Sequence, residues 1–289
     1  MTNKMTLLDG KSLSAKIKDE LKGYINSYVQ TPILAVITIG DDAASEVYVK
    51  NKRKACEYVG MSFLHLDYAS CVKEEVVIKK IKQLNKDKSI NGIILQLPIP
   101  DNFNVSKIIN TIDPSKDVDG LTNTQAGKLI QNEKCLMPCT PKGIMEILKE
   151  YKIELEGKHV VIVGRSILVG KPLMLECINK NATVTMCHSK TRDLKSYTKD
   201  ADILIVAAGK KHLIDKTMIK KGSIIIDVGI NRENGKLFGD VNPNVEEVCG
   251  YLTPVPGGVG PMTVAMLLKN TFEAYKNQNG IIDMFDLNL

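Results

Sequence analysis

The sequence predicts an α/β protein in two domains, and three observations carry that prediction. Short β-branched runs alternate with helix-compatible stretches along most of the chain, the pattern of a mostly parallel sheet. Midway, Pro138-Cys139-Thr140-Pro141 interrupts the alternation. Beyond it, Lys158 to Pro172 (KHVVIVGRSILVGKP) carries an apolar run straight into a glycine turn and then a helix. Such a turn, at the carboxyl edge of a parallel sheet, aims free N–H groups and a helix dipole at an anion.

The elements follow in order. Leu13, Ile17 and Leu21, at i, i+4 and i+8, predict an amphipathic opening helix. Pro32 to Gly40 reads as a buried strand, short, β-branched and closed by glycine. Ala44 to Tyr58 predicts a helix capped at Gly60. Met61 to Tyr68 is a second strand, and Glu74 to about Lys86 a second helix. Asn91 to Leu97 is a third strand, stopped by Pro98 and Pro100, with a short helix from Val105 to Ile112.

Thr140 and Pro141 make a good start for a connecting helix over Gly143 to Tyr151, so the domain boundary falls here. Strands then follow at Val160–Val163, Ala182–Cys187, Asp202–Val206 and Ser223–Val228, a small Rossmann-like domain. Pro261 suits the first turn of a final helix reaching about Tyr275.

Composition narrows the function. A chain of 289 residues with 44% hydrophobic and 25% charged residues has room for two globular cores. The net charge of +6 is scattered; its densest cluster, Lys50, Lys52, Arg53 and Lys54, fits a solvated helix face or an attraction for an acidic substrate. Few aromatics and no tryptophan argue against a nucleic-acid partner. The seven cysteines include no C-x-x-C pair, and no histidine pair stands near Cys135 and Cys139, so reduced thiols are expected and no metal site. The N-terminus lacks a signal peptide's apolar core, and no apolar run reaches the length of about 18 residues that a membrane span needs. A cytoplasmic protein without membrane attachment is expected.

Several groups exceed what a sheet requires. Tyr48 and Lys52 share one helix face, and a lysine in a partly apolar cleft can serve as a general base; a surface lysine beside a half-buried tyrosine fits the same spacing. Gln96 ends an apolar strand and needs a partner, whether lysine, ligand, backbone or water. In Lys116-Asp117-Val118-Asp119-Gly120, two carboxylates two apart suit either an amino-pyrimidine edge or an Asx turn.

The turn at Gly164-Arg165-Ser166 to Gly170 reads G-x-S-x-x-x-G, a departure from the strict dinucleotide fingerprint; its plain alternative is a strand–turn–helix whose glycines only pack. About twenty positions further on, where NAD-binding folds carry an acid for the ribose, stands Cys187-His188-Ser189-Lys190-Thr191. Hydroxyls and a cation there, with Arg165 in the first turn, favour the 2′-phosphate of NADP over NAD. Ser189 could also cap the next helix. Thr253 to Thr263 (TPVPGGVGPMT) is a tightly turned loop whose glycines permit close approach to a flat ring, or a linker.

Eight motifs stand in order: YVKNK (48–52), LQLPIP (95–100), KDVDG (116–120), PCTP (138–141), GRSILVGKP (164–172), CHSKT (187–191), DVGIN (227–231) and PGGVGPMT (256–263). From about Leu8 to the final helix the chain resembles the bifunctional methylenetetrahydrofolate dehydrogenase/methenyltetrahydrofolate cyclohydrolase family. The resemblance implies NADP-dependent oxidation of 5,10-methylenetetrahydrofolate, then hydrolysis to 10-formyltetrahydrofolate, in one-carbon metabolism and purine biosynthesis. It implies an N-terminal folate-binding catalytic domain over residues 1–140, a Rossmann-like NADP-binding domain over 141–264, and a cleft between them. Residues 265–289 would form a C-terminal helix packing back on the catalytic domain.

By the same resemblance the catalytic residues are Lys52, the base of the hydrolysis, Gln96, which tunes it, Tyr48, which packs on the folate, and Asp119 at the pterin edge. Pro98, Gly257, Gly258 and Pro261 would join these four at the substrate. Gly164, Arg165, Ser166, Ser189 and Ile230 would hold NADP. Tetrahydrofolates, polyglutamylated forms included, are the implied substrates, and the implied assembly is a homodimer. Ile167 departs from the polar residue of many relatives, removing one hydrogen bond beside the diphosphate. The chain is too short for the formyltetrahydrofolate synthetase domain fused in some relatives, and none is expected. A monofunctional dehydrogenase is the nearest alternative; a non-catalytic nucleotide-binding regulator has no use for Lys52, Gln96 and Asp119.

Overall fold

The computed structural model describes residues 5–281, without the side chains at 43 and 44. Of the expected C-terminal segment, residues 282–289 lie outside the described residues. The chain begins with β1 (Thr6–Leu7), α1 (Gly10–Ile25), β2 (Ile33–Ile39), α2 (Ala43–Val59), β3 (Ser62–Tyr68), α3 (Glu74–Lys86) and β4 (Gly92–Leu95). It continues with α4 (Val105–Ile109), α5 (Asn123–Ile130), α6 (Cys139–Glu150), β5 (His159–Val163), α7 (Gly170–Asn179), β6 (Thr183–Cys187) and α8 (Leu194–Thr198). The remainder is β7 (Ile203–Val206), β8 (Ile224–Asp227), the hairpin β9 (Asn231–Glu233) and β10 (Lys236–Phe238), β11 (Tyr251–Leu252) and α9 (Val259–Gln278). The fold is the expected α/β class, and β1, α5, the hairpin and β11 are additions to the elements read from the sequence.

The chain packs into two units. One comprises Lys16–Cys139 and the chain from Val264 on; the other comprises the chain up to Ala15 and Thr140–Thr263.

The first unit is built on a parallel sheet of order β3-β2-β4. The central strand β2 is bonded on both sides, which explains why its sequence is apolar without alternation. Helix α3 lays Val77, Ile81 and Leu84 on the sheet residues Ala35, Ile37, Ile93 and Leu95, and Ile108 and Ile109 of α4 join the same core. Helix α2 stops at Gly60, whose φ of +85° lets its N–H reach Cys56 and Glu57 carbonyls. The second half of α9 is bonded into this unit. Buried Asn270 donates to the carbonyls of Val118 and Met137, each at 2.9 Å, and the Tyr275 hydroxyl donates to Gln30 O at 2.9 Å.

The second unit holds a six-stranded parallel sheet of order β1-β11-β8-β7-β5-β6. The chain leaves β5 for β6 on one side and returns to β7 on the other. The carboxyl ends of β5 and β7 are therefore the switch point, where open α/β sheets take their ligands. Val161, Val163, Leu204, Val206 and Ile225 form the core with Val245. At the far edge Thr6 and Leu7 pair with Tyr251 and Leu252, which ties the start of the chain to this unit. Among the described residues no helix is long and apolar enough to cross a membrane, and no cluster of three or more His, Cys, Asp or Glu is placed to hold a metal.

Candidate active site

In the three-stranded unit, Lys52 on α2 and Gln96 just past β4 meet. Lys52 Nζ donates to Gln96 Oε1 at 2.8 Å, and Gln96 Nε2 donates to Leu97 O at 2.7 Å. The second bond fixes which end of the buried amide faces the lysine. Tyr48, one turn before Lys52, is exposed, and Pro98 follows a cis Leu97–Pro98 bond with its ring exposed.

The two carboxylates of the Lys116–Gly120 stretch have separate tasks. Asp117 is buried and accepts from Gly120 N at 3.0 Å and Thr122 N at 2.7 Å, the Asx-turn option. Burial pushes its carboxyl above the usual range, against the pull of those N–H groups. Asp119 is only partly buried and makes no hydrogen bond among the described residues, so its carboxylate is available to a ligand. Gly120 sits at φ +70°, and a Cβ there would lie 2.3 Å from Leu136 O. Buried Lys116 is structural: its Nζ donates to Leu84 O and Asp87 O at 2.9 and 2.6 Å.

In the six-stranded unit, both turn glycines are demanded by close approach. A Cβ on Gly164 would meet Ala207 O at 2.3 Å, and one on Gly170 would meet Gly164 O at 2.1 Å. Ser166 Oγ accepts from Val169 N at 3.1 Å and braces the turn. Register then sets the neighbours. Val163 pairs with Cys187, so the turns that carry Arg165 and Ser189 leave the sheet from paired strand ends. The His188–Thr191 turn closes on itself through His188 N to Thr191 Oγ1 at 2.8 Å and Thr191 N to His188 O at 2.8 Å. Ser189 does not cap α8, which begins after Asp193. Arg165 and Ser189 are exposed, and their side chains have no hydrogen-bond or ion-pair partner among the described residues.

Ile230, Gly257, Gly258 and Pro261 line one cavity of about 160 Å³. Gly257 has φ +113°, and the start of α1 presses on the same loop: Lys11 N donates to Gly257 O at 2.7 Å. A Cβ on Gly10 would overlap Gly258 O, so the N-terminal segment needs glycine to reach the loop.

Sequence reasoning assigned no role to two buried carboxylates, Asp227, which also lines this cavity, and Asp240. Asp227 accepts from Gly229 N at 2.9 Å and from Asp240 N and Val241 N at 3.0 Å each; burial raises its pKa from 3.8 to about 6, with the N–H groups opposing. Asp240 accepts from Ala208, Gly209, Lys210 and Asn231. The available signal was glycine close to each aspartate, at Gly229 and Gly239, where a Cβ would strike the facing carboxylate.

Two family models match the chain: tetrahydrofolate dehydrogenase/cyclohydrolase, catalytic domain, over residues 8–119, and the NAD(P)-binding domain of the same family over 138–279. The bifunctional protein FolD of Nautilia profundicola is 50% identical over 278 residues, covering 94% of this chain and 98% of that protein. The crystal structure of the bifunctional FolD methylenetetrahydrofolate dehydrogenase/cyclohydrolase from Campylobacter jejuni is 48% identical with a TM-score of 0.93, covering 95% of this chain and 99% of that one. The Trypanosoma brucei FolD structure, in complex with NADP and an inhibitor, is 33% identical with a TM-score of 0.91, covering 95% and 98%. By its two matched domains and its full-length relatives, the chain belongs to the tetrahydrofolate dehydrogenase/cyclohydrolase family.

Proposed function

We propose that this chain oxidises 5,10-methylenetetrahydrofolate to the 5,10-methenyl form with NADP and then hydrolyses that product to 10-formyltetrahydrofolate. Family membership supports both activities, and the observation that carries the second is the Lys52–Gln96 hydrogen bond of 2.8 Å. The Gln96 oxygen holds one N–H of Lys52 and so orients the rest of its nitrogen toward a water. In the hydrolysis, Lys52 takes a proton from the water that attacks the methenyl carbon. Collapse of the adduct breaks the carbon–nitrogen bond, and the adduct's hydroxyl proton goes to the departing nitrogen. The proton held on Lys52 then leaves to solvent. Tyr48 packs on the folate, Pro98 lines its site, and the unpartnered Asp119 carboxylate accepts from the amino-pyrimidine edge.

NADP, when bound, supplies the hydride acceptor for the first step. The second unit fits such a group. Gly164 and Gly170 make a close-packed turn at the switch point, and the exposed Arg165 guanidinium and Ser189 hydroxyl, in the turns after paired strands β5 and β6, are the donors we assign to a 2′-phosphate. Ser166 serves the diphosphate, Ile230 packs beside the cavity, and Gly257, Gly258 and Pro261 offer a surface for a flat ring. A homodimer, polyglutamylated folates and the cytoplasm complete the reading, all three on the strength of the family resemblance.

The test is purified protein with methylenetetrahydrofolate and NADP, then with methenyltetrahydrofolate alone. Cofactor reduction in the first and accelerated hydrolysis in the second are expected. Reduction alone would leave a monofunctional dehydrogenase, and silence in both would overturn the reading.

A further inference from the structure

We infer that Asp240 is a positioning residue for the cofactor, setting the loops after β7 and β8 without touching the ligand. The inference rests on the proposed NADP reading. Asp240 is fully buried. Its Oδ2 accepts from Ala208 N at 2.7 Å and Gly209 N at 2.8 Å. Its Oδ1 accepts from Lys210 N and the Asn231 side-chain amide, each at 2.8 Å. Three successive backbone N–H groups converging on one carboxylate form an anion nest, here filled from within the chain. Its own N–H is in turn donated to Asp227, which also holds Gly229 N.

Three stretches are thereby bound to one another. The segment after β7 is the lip of the switch point, since Ala207 O is the atom that a Cβ on Gly164 would strike at 2.3 Å. Asn231 follows Ile230, a wall of the glycine-loop cavity. The third stretch is Asp240 itself, returning from the β9–β10 hairpin. Each carboxylate oxygen faces two N–H donors, so the site calls for a side chain that presents two acceptors and no donor. An amide of the same size would turn its NH2 against two donors and push one loop away.

The experiment compares wild type with Asp240→Asn and Asn231→Ala, measuring NADP affinity, the KM and kcat of the dehydrogenase, and NADP-free methenyl hydrolysis. Asp240→Asn is expected to raise Kd and KM for NADP about tenfold or more, because it strains charge-assisted bonds. At saturating NADP, kcat should fall much less, and hydrolysis, whose proposed base Lys52 belongs to the other unit, should fall far less than NADP affinity. Asn231→Ala, which removes one donor of four, should raise the same Kd by a smaller factor; it carries the test should Asp240→Asn not fold. A parallel loss of hydrolysis and NADP binding would show a purely structural role and overturn the inference, as would an unchanged NADP affinity. A wild type that binds no NADP would instead remove the functional reading on which the inference stands.

Discussion

Lys52 and Gln96 lie 44 positions apart in sequence and 2.8 Å apart in space. Replacing Lys52 with methionine keeps the length of the stem and removes the amine proposed as proton carrier. Lys52→Met should therefore abolish methenyl hydrolysis while NADP affinity, measured by titration, stays close to wild type. Arg165→Ala should weaken NADP about tenfold or more, as loss of a charge-assisted phosphate contact does, and weaken NAD far less. Equal losses would place the reader of the 2′-phosphate elsewhere. Asp227 carries a pH signature. Its folded pKa of about 6 stands above the ordinary 3.8, so the folded protein keeps a proton that the unfolded chain has already released. Its contribution to stability is full below the lower value and is lost as pH rises through the higher one, by about 3 kcal/mol at most. Denaturant unfolding of wild type and Asp227→Asn should show the stability difference, wild type minus variant, falling between about pH 4 and pH 7; a difference that grows would reverse the sign assigned. Gln96 and Arg165 were legible because polar groups stand out at the ends of apolar strands, whereas Lys52, inside a cationic run, was legible through its spacing from Tyr48 and the YVKNK motif. Asp227 and Asp240 were not, because their partners are main-chain N–H groups that no side-chain pattern records.

Among the elements, the β5 turn shows how packing selects sequence. The glycines read as phosphate-cradling residues are also sterically required: Gly164 has φ +135° with Ala207 O at 2.3 Å from its missing Cβ. Gly164→Ala should cost about 2 kcal/mol or more of stability, read as a lowered Tm, and reduce NADP affinity with it. Retention of both would mean that the β7 loop gives way freely. Strands β2, β5 and β7 were legible as apolar runs because each is bonded on both sides. Strands β1 and β11 were not. Two residues have no period, and the partner of β1 lies 245 positions away, Thr6 against Tyr251, while β11 is also held by β8. Helix α5 escaped notice for a different reason. Its start is signalled by Thr122, whose hydroxyl accepts from Gln125 N, but only Gln125 and Leu129 along it are buried, too few to mark an apolar face.

Across the whole molecule, each unit is assembled from separated pieces of chain. The three-stranded unit needs α9, and Asn270 is the residue that binds it there, through two buried carbonyls. Asn270→Ala leaves Val118 O and Met137 O without that donor and should destabilise this unit by about 2–4 kcal/mol. Methenyl hydrolysis should then be lost at a lower temperature than in wild type, and an unchanged inactivation profile would contradict the role. The sequence made the final helix legible as an element, whereas nothing in its pattern marked Asn270 as the polar side chain that locks it.

The pairing of Thr6 with Tyr251 bears on how the protein is made. On the ribosome β1 is synthesised well before β11 and must wait for its partner to emerge. Contacts of such long sequence separation form slowly, since loop closure must precede their reward. The six-stranded sheet can grow from β5 through β8 as the chain emerges, but its outer edge stays open until β11 arrives. During that interval β8 keeps an unpaired apolar edge, the kind of exposure that invites wrong pairing.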